Sequence, residues 1–235
     1  MTEFRFEDQF TPFGEIETQP LSNFQKVVAR RLSQSWNAIP HVTHQDDIDV
    51  TALEAHRKSL AVKVTPLAYL AKALALALRA FPQFNASLSE DGKTLILKKY
   101  CNVGIAVDGP AGLLVPVLRD VDTKTLAEIA AQIAVLSSQA REKGLPMSAM
   151  SGGCMTISSL GGIGGTAFTP IINQPEVAIL GVTRTRQAAV WTGRAFEPRL
   201  MMPLSLSYDH RVINGADAAR FLRFLGELVA TPDKL

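Results

Sequence analysis

The stretch Ser205–Leu222 reads SLSYDHRVINGADAARFL, and the chain changes its period inside it. Just upstream, Met202, Leu204, Leu206 and Tyr208 recur at every second position, the pattern of a strand over Met201 to Tyr208. From Asn214 onward Ala218, Phe221, Leu222, Leu225, Leu228 and Val229 mark one stripe of a helix. Asp209, His210 and Arg211 therefore fall on a strand-to-helix junction, a place where a rigid scaffold commonly presents reactive groups. Of the three, His210 has the chemistry of a general base near neutral pH. Taken alone, a histidine that merely packs and hydrogen-bonds is the commoner case. Arg211 reads as an ion-pair partner rather than a catalyst.

Further toward the N-terminus, Val177–Val182 and Cys154–Ser158 are short apolar runs, read as strands buried on both faces. Gly161, Gly162, Gly164 and Gly165 lie between them. A phosphate-binding loop requires a helix directly after its glycines, so that amide ends face the anion. The residues that follow, TAFTPIINQP, hold two prolines and no helical stripe, which leaves a turn with closely approaching backbones.

Earlier segments divide into helices and strands. Capping-box spacing at Ser22/Gln25, Thr51/Glu54 and Thr125/Glu128 predicts three helix starts. The first of these helices closes at Pro40, the second runs through Leu60, and the third runs to about Lys143 with Gly144 and Pro146 as the stop. Thr65-Pro66 starts another, with a stripe of Leu67, Leu70, Leu74 and Leu78. Residues 86–107 predict two strands around the Asp91-Gly92 turn and then a third, and Leu113–Leu118 predicts a further strand whose Pro116 implies an edge or a bulge. His41 and His44, near Asp46, Asp47 and Asp49, suggest a metal site only superficially. Their spacing in a strand-like run sends the two rings to opposite faces, so no metal is expected.

The chain has 235 residues, 47% hydrophobic and 20% charged, with a net charge of +2. That balance suits a globular core and gives no reason to expect nucleic acid. No apolar run reaches membrane-spanning length, because Lys72 interrupts Leu67–Leu78. Cys101 and Cys154 lack metal-ligand spacing, and MTEFRFEDQF lacks an apolar targeting core, so a cytoplasmic location with reduced thiols is expected. Two segments follow, an extended arm over 1–20 and one mixed α and β domain over 21–235.

Two motifs carry a resemblance. The H-x-x-x-N-G arrangement in SLSYDHRVING is similar to the H-x-x-x-D-G signature of the 2-oxo acid dehydrogenase acyltransferases and the chloramphenicol acetyltransferases. The run MTISSLGGIGGTAFTPIINQPEVAILGV resembles the second signature of the first group, a strand serine followed by a glycine-rich turn and P-E-V-A-I. The likeness extends from FGEIE at Phe13 to the helix after Gly215, and is closest to acetyl-transferring, pyruvate-type members.

It implies an α/β, chloramphenicol-acetyltransferase-like fold, a mixed sheet with flanking helices, in an obligate trimer. Each site would take His210 as base from one subunit and Ser158 as oxyanion donor from its neighbour. Asn214 stands where Asp is commoner; it is also placed to cap the following helix, with Asp217 three residues on. For coenzyme A the resemblance points to Arg57, Thr65, Asp108 and Ser159; Arg57 reads equally as a solvated charge on a short helix, Asp108 equally as part of the turn with Gly109-Pro110, and Thr65 also as a helix cap. The second substrate would be a lipoyl group supplied in trans, from the lipoyl domains that relatives carry before this domain, and partners would include the dehydrogenase components. Many relatives build a larger 24- or 60-subunit core through an apolar tail. The polar ending TPDKL argues against such a shell here. A non-catalytic core subunit and an antibiotic O-acetyltransferase of the same fold are the competing readings, and the acyl group is left open.

Overall fold

A computed structural model describes residues 5–109, 112–142 and 144–235. After two short 3₁₀ turns in the exposed N-terminal stretch, α1 (Asn23–Ala38) leads into β1 (His41–Asp49), α2 (Thr51–Ser59) and α3 (Pro66–Ala80). Short strands follow: β2 (Ala86–Leu88), β3 (Leu95–Leu97), β4 (Val103–Ile105), β5 (Val107–Gly109), β6 (Gly112–Leu114) and β7 (Val117–Leu118). The chain continues with α4 (Leu126–Glu142), β8 (Met155–Ser159), β9 (Ala178–Val182), β10 (Arg186–Trp191), β11 (Phe196–Asp209) and α5 (Gly215–Ala230).

The main sheet runs β1-β11-β9-β8-β4-β7, with β10 added to the first half of β11. It is mixed: β4, β8 and β9 are mutually parallel, while β11 runs against β9 and β1. Two small hairpins, β2-β3 and β5-β6, lie off it. Met202, Leu204, Leu206 and Tyr208 all reach the core, joined there by Met155, Ile157, Leu180 and Val182 from neighbouring strands. The core is completed by α3, whose alanines pack as closely as its leucines, and by Phe221 of α5, which stacks on Phe84 at 4.1 Å. Each such aromatic buries enough apolar surface to stabilise the fold by about 1.5–3 kcal/mol.

Two of the three expected capping boxes form. Ser22 Oγ accepts from Gln25 N at 3.2 Å while Ser22 N donates to Gln25 Oε1 at 2.8 Å, and Thr125 and Glu128 exchange the same pair of bonds. The box at Thr51 and Glu54 does not form. Thr51 is already inside α2, its Oγ1 accepts from Leu200 N at 2.9 Å, and Glu54 is held by Arg57. Asp49 Oδ1 takes the amide of Thr51 instead. The stretch Leu113–Leu118 is two strands rather than one: Pro116 breaks it, and β7 becomes the sheet edge. Lys143, the expected end of α4, lies outside the described residues. The hairpin β10-β11 was not legible from alternation, because both its faces stay largely exposed and offer no apolar period.

Candidate active site

At the C-terminal end of β11 the triplet Asp209-His210-Arg211 forms a turn held by its outer members. Asp209 is 2% exposed, and its carboxylate accepts from Arg211 Nε at 2.9 Å, from Arg211 Nη2 at 2.6 Å and from the Arg211 amide at 3.0 Å. A buried carboxylate without such partners would cost several kcal/mol, roughly 3–5, so this pair fixes the turn. The guanidinium pKa is raised in turn by its hydrogen bonds to Asp209. Val212 N and Ile213 N both donate to Asp209 O, and the His210 amide donates to Pro40 O at 3.1 Å. Between two anchored neighbours, His210 is exposed, and among the described residues no hydrogen bond engages either ring nitrogen. An imidazole left this way can take a proton from a substrate.

Asn214 caps α5: its Oδ1 accepts from Asp217 N at 3.0 Å. Aspartate caps equally well. Asn214→Asp should therefore leave the fold intact and keep most of the catalytic rate; a loss beyond ~10²-fold in steady-state assays would show that the site needs a neutral group there.

Ser158 is the fourth residue of β8, on the same face as Thr156 and opposite the core-facing Met155 and Ile157. Its hydroxyl is half-buried and, among the described residues, unengaged. In register it stands beside Gly181 of β9, which stands beside Ser205 of β11. A Cβ at Gly181 would lie 2.9 Å from the Phe168 ring, so only glycine lets that ring cover the strand next to Ser158.

This register decides how the two groups can be used. Ser158 is level with Ser205, two strand spacings away, and β11 runs four residues further to Asp209, the residue before His210. At about 4.8 Å per strand and about 3.3 Å per residue, the Cα atoms of Ser158 and Asp209 are roughly 16 Å apart. They belong to opposite ends of the sheet. One chain by itself does not bring the two groups together.

Of the four residues expected at coenzyme A, Asp108 and Ser159 lie at the Ser158 end. Ala106 N donates to Ile157 O at 2.9 Å, which carries the chain into β5 and to the exposed Asp108. Ser159 ends β8, and its Oγ accepts from Gly161 N at 3.4 Å. Arg57 sits on α2 with its guanidinium on Glu54, Nη2 to Oε2 at 2.8 Å, and that hydrogen bond raises its pKa. Thr65 precedes α3, but its side chain does not cap it. The structure thus groups two of the four.

The His41 ring bridges backbone, with Nδ1 2.9 Å from Ile39 O and Nε2 accepting from Ile172 N at 3.0 Å. Among the described residues no group of three or more His, Cys, Asp or Glu side chains could hold a metal ion.

One buried group went unnoticed in the sequence although it stands in P-E-V-A-I. Glu176 is 4% exposed; its Oε1 accepts from Thr156 Oγ1 at 2.9 Å and from Asn173 Nδ2 at 3.4 Å, while Oε2 is buried with no hydrogen-bond partner among the described residues. Burial pushes its pKa up to about 7, against the opposing effects of the Thr156 bond and Lys98. A carboxyl whose pKa is raised on folding loses stability as pH rises from its unfolded value of about 4.5 toward 7, because the unfolded chain releases the proton first. Glu176→Gln should raise the melting temperature at pH 8 by more than at pH 5, with the difference developing between those values; an equal shift at both would contradict the buried-acid account.

The mixed sheet carries an exposed histidine toward one end and a half-buried serine toward the other, neither side chain hydrogen-bonded among the described residues. Chloramphenicol acetyltransferase shares the fold, with a TM-score of 0.62 at 12% identity over 92% of this chain and 99% of that one. Residues 13–235 match the family of the 2-oxoacid dehydrogenases acyltransferase (catalytic domain), and the chain belongs to it. The dihydrolipoyllysine-residue acetyltransferase component of pyruvate dehydrogenase complex from Pseudomonas aeruginosa is 54% identical over 231 residues, 95% of this chain and 42% of the relative. The chain therefore spans about two fifths of the length of such relatives. The dihydrolipoamide acetyltransferase of Azotobacter vinelandii superposes with a TM-score of 0.90 at 54% identity, covering 94% of both chains. A serine, a histidine and an asparagine have been investigated for their role in its catalytic mechanism, and their intervals equal those between Ser158, His210 and Asn214.

Proposed function

We propose that this chain is an acetyltransferase domain that moves an acetyl group between coenzyme A and a dihydrolipoyl thiol, working as a homotrimer with sites between subunits. The observation that carries this reading is the wide separation of Ser158 and His210 within one chain that bears both. A ring of three copies lets the His210 end of each subunit face the Ser158 end of the next.

In the proposed reaction His210 removes the proton from the acceptor thiol, which is mostly protonated near neutral pH. The thiolate attacks the thioester carbonyl, and the resulting oxyanion accepts a hydrogen bond from the neighbour's Ser158 hydroxyl. Collapse expels the other thiolate, which recovers the proton from the imidazolium, so no covalent enzyme intermediate is needed. Asp108 and Ser159, at the Ser158 end, suit the polar pantetheine amides. Arg57 serves a phosphate only by exchanging it for Glu54. We further propose that the lipoyl group arrives on a separate domain, that the dehydrogenase components of a pyruvate-type complex are the partners, and that the two buried free cysteines fit a cytoplasmic setting. Residues 1–20 serve as an arm and 21–235 as the catalytic domain in this reading.

Supplying acetyl-coenzyme A with dihydrolipoamide, and separately with chloramphenicol, tests the assignment. Transfer to dihydrolipoamide alone is the expected result; transfer to chloramphenicol, or to neither, overturns it. Rates with succinyl- and isobutyryl-coenzyme A then rank the acyl groups, with acetyl expected first. Light scattering should find three chains per particle or a multiple of three. A monomer active in transfer would contradict the shared site.

A further inference from the structure

Glu176 is tied to the Ser158 strand through its side chain and, through the next residue, to the turn of His210. Its carboxyl group accepts from Thr156, which shares a strand face with Ser158 two residues on. The next residue, Val177, accepts through its carbonyl from the Asp209 amide at 2.8 Å, immediately before His210. The same segment is tied to the opposite side of that turn: Ile172 N donates to His41, and the His210 amide donates to Pro40. Residues 172–177 therefore form a strap from the serine strand to the histidine turn, and the Glu176 carboxyl bonds that strap to β8 at Thr156.

The fit around this carboxyl is close. A Cβ at Gly153 would stand 2.8 Å from Glu176 Oε1, so the glycine makes room for it. Lys98 donates to Gly153 O at 3.2 Å and Cys154 follows directly; these are the titratable groups that face Glu176, with Thr156 and Asn173 as its polar neighbours. Thr156 itself is 1% exposed, and a Cβ at Gly104 would come 2.6 Å from its hydroxyl. A carboxyl is an expensive group to bury merely to satisfy one threonine and one asparagine.

We propose that Glu176 is a positioning residue for the transfer reaction: by joining the 172–177 strap to β8 it sets where Ser158 and the His210 turn stand. This rests on the acetyl-transfer reading above. The group touches no substrate, and it acts through Thr156 on one side and the Val177 carbonyl on the other. Misplacement of a catalytic group by about 1 Å can cost 10²-fold in rate, so loss of the bond should be visible in turnover.

The test compares Glu176→Ala, Glu176→Gln, Thr156→Val and the double variant Glu176→Ala/Thr156→Val in the acetyl-coenzyme A and dihydrolipoamide assay. Glu176→Ala and Thr156→Val should each lower kcat about tenfold or more, with KM for both substrates within about twofold. The double variant should be no slower than Glu176→Ala, because both changes remove one interaction. Glu176→Gln keeps an oxygen for Thr156 and should recover kcat to within about threefold of wild type. Should Glu176→Ala fail to fold, Thr156→Val carries the test from the other end of the bond. Folded variants with wild-type kcat, additive losses in the double variant, no recovery with glutamine, or a change confined to KM would each overturn the proposal. A wild-type chain without transfer activity would instead overturn the acetyl-transfer reading beneath it.

Discussion

His210→Ala should leave a folded protein of unchanged oligomeric size that transfers acetyl groups at ~10²–10⁴-fold lower rate. The fold is expected to survive because the ring makes no hydrogen bond among the described residues, whereas the turn is held by Asp209, Arg211 and the His210 amide. All of those remain in the variant. Direct coenzyme A binding, measured calorimetrically, should change little, since a base acts on the thiol proton rather than on the nucleotide. Transfer at wild-type rate in a folded His210→Ala protein would refute the base assignment.

Ser158→Ala should also fold normally, because the residue is half-buried, its hydroxyl makes no hydrogen bond among the described residues, and alanine fits β8. Its rate should fall ~10²–10³-fold, the range for removal of one oxyanion donor. The loss should appear in kcat, with KM for either substrate nearly constant, because the negative charge develops only in the transition state. A raised KM at unchanged kcat would make Ser158 a substrate-binding group instead.

The architecture was legible wherever burial imposed a period. Met202 to Tyr208 alternates because one face meets the core, and α5 shows its stripe for the same reason. The β10-β11 hairpin escaped because Trp191 and Phe196 are both exposed, so no apolar alternation was written into it. Thr51 and Glu54 had the right spacing for a cap, yet Thr51 takes a tertiary donor, the Leu200 amide, and Glu54 pairs with Arg57 three residues on in the same helix. Local pattern cannot register the first of these.

The site was readable in part. His210 and Asn214 stood out as polar residues at a junction, and Ser158 by a motif, but the register that keeps Ser158 and His210 apart exists only once β11, β9 and β8 are paired. Glu176 was hidden for a related reason. A lone carboxylate in QPEVAIL looks like a surface residue before a strand until the cover from Gly153, Thr156 and Asn173 is seen.

Mixing the two inactive proteins tests the shared site most directly. His210→Ala and Ser158→Ala chains, unfolded and reassembled together in equal amounts, should form mixed trimers in which some sites pair an intact His210 with a neighbour's intact Ser158. Random assembly around a threefold ring places both intact groups in about a quarter of sites, so about a quarter of wild-type transfer should return. If the mixture reassembles into trimers but stays as inactive as its parents, the two residues do not meet across subunits and the account is wrong.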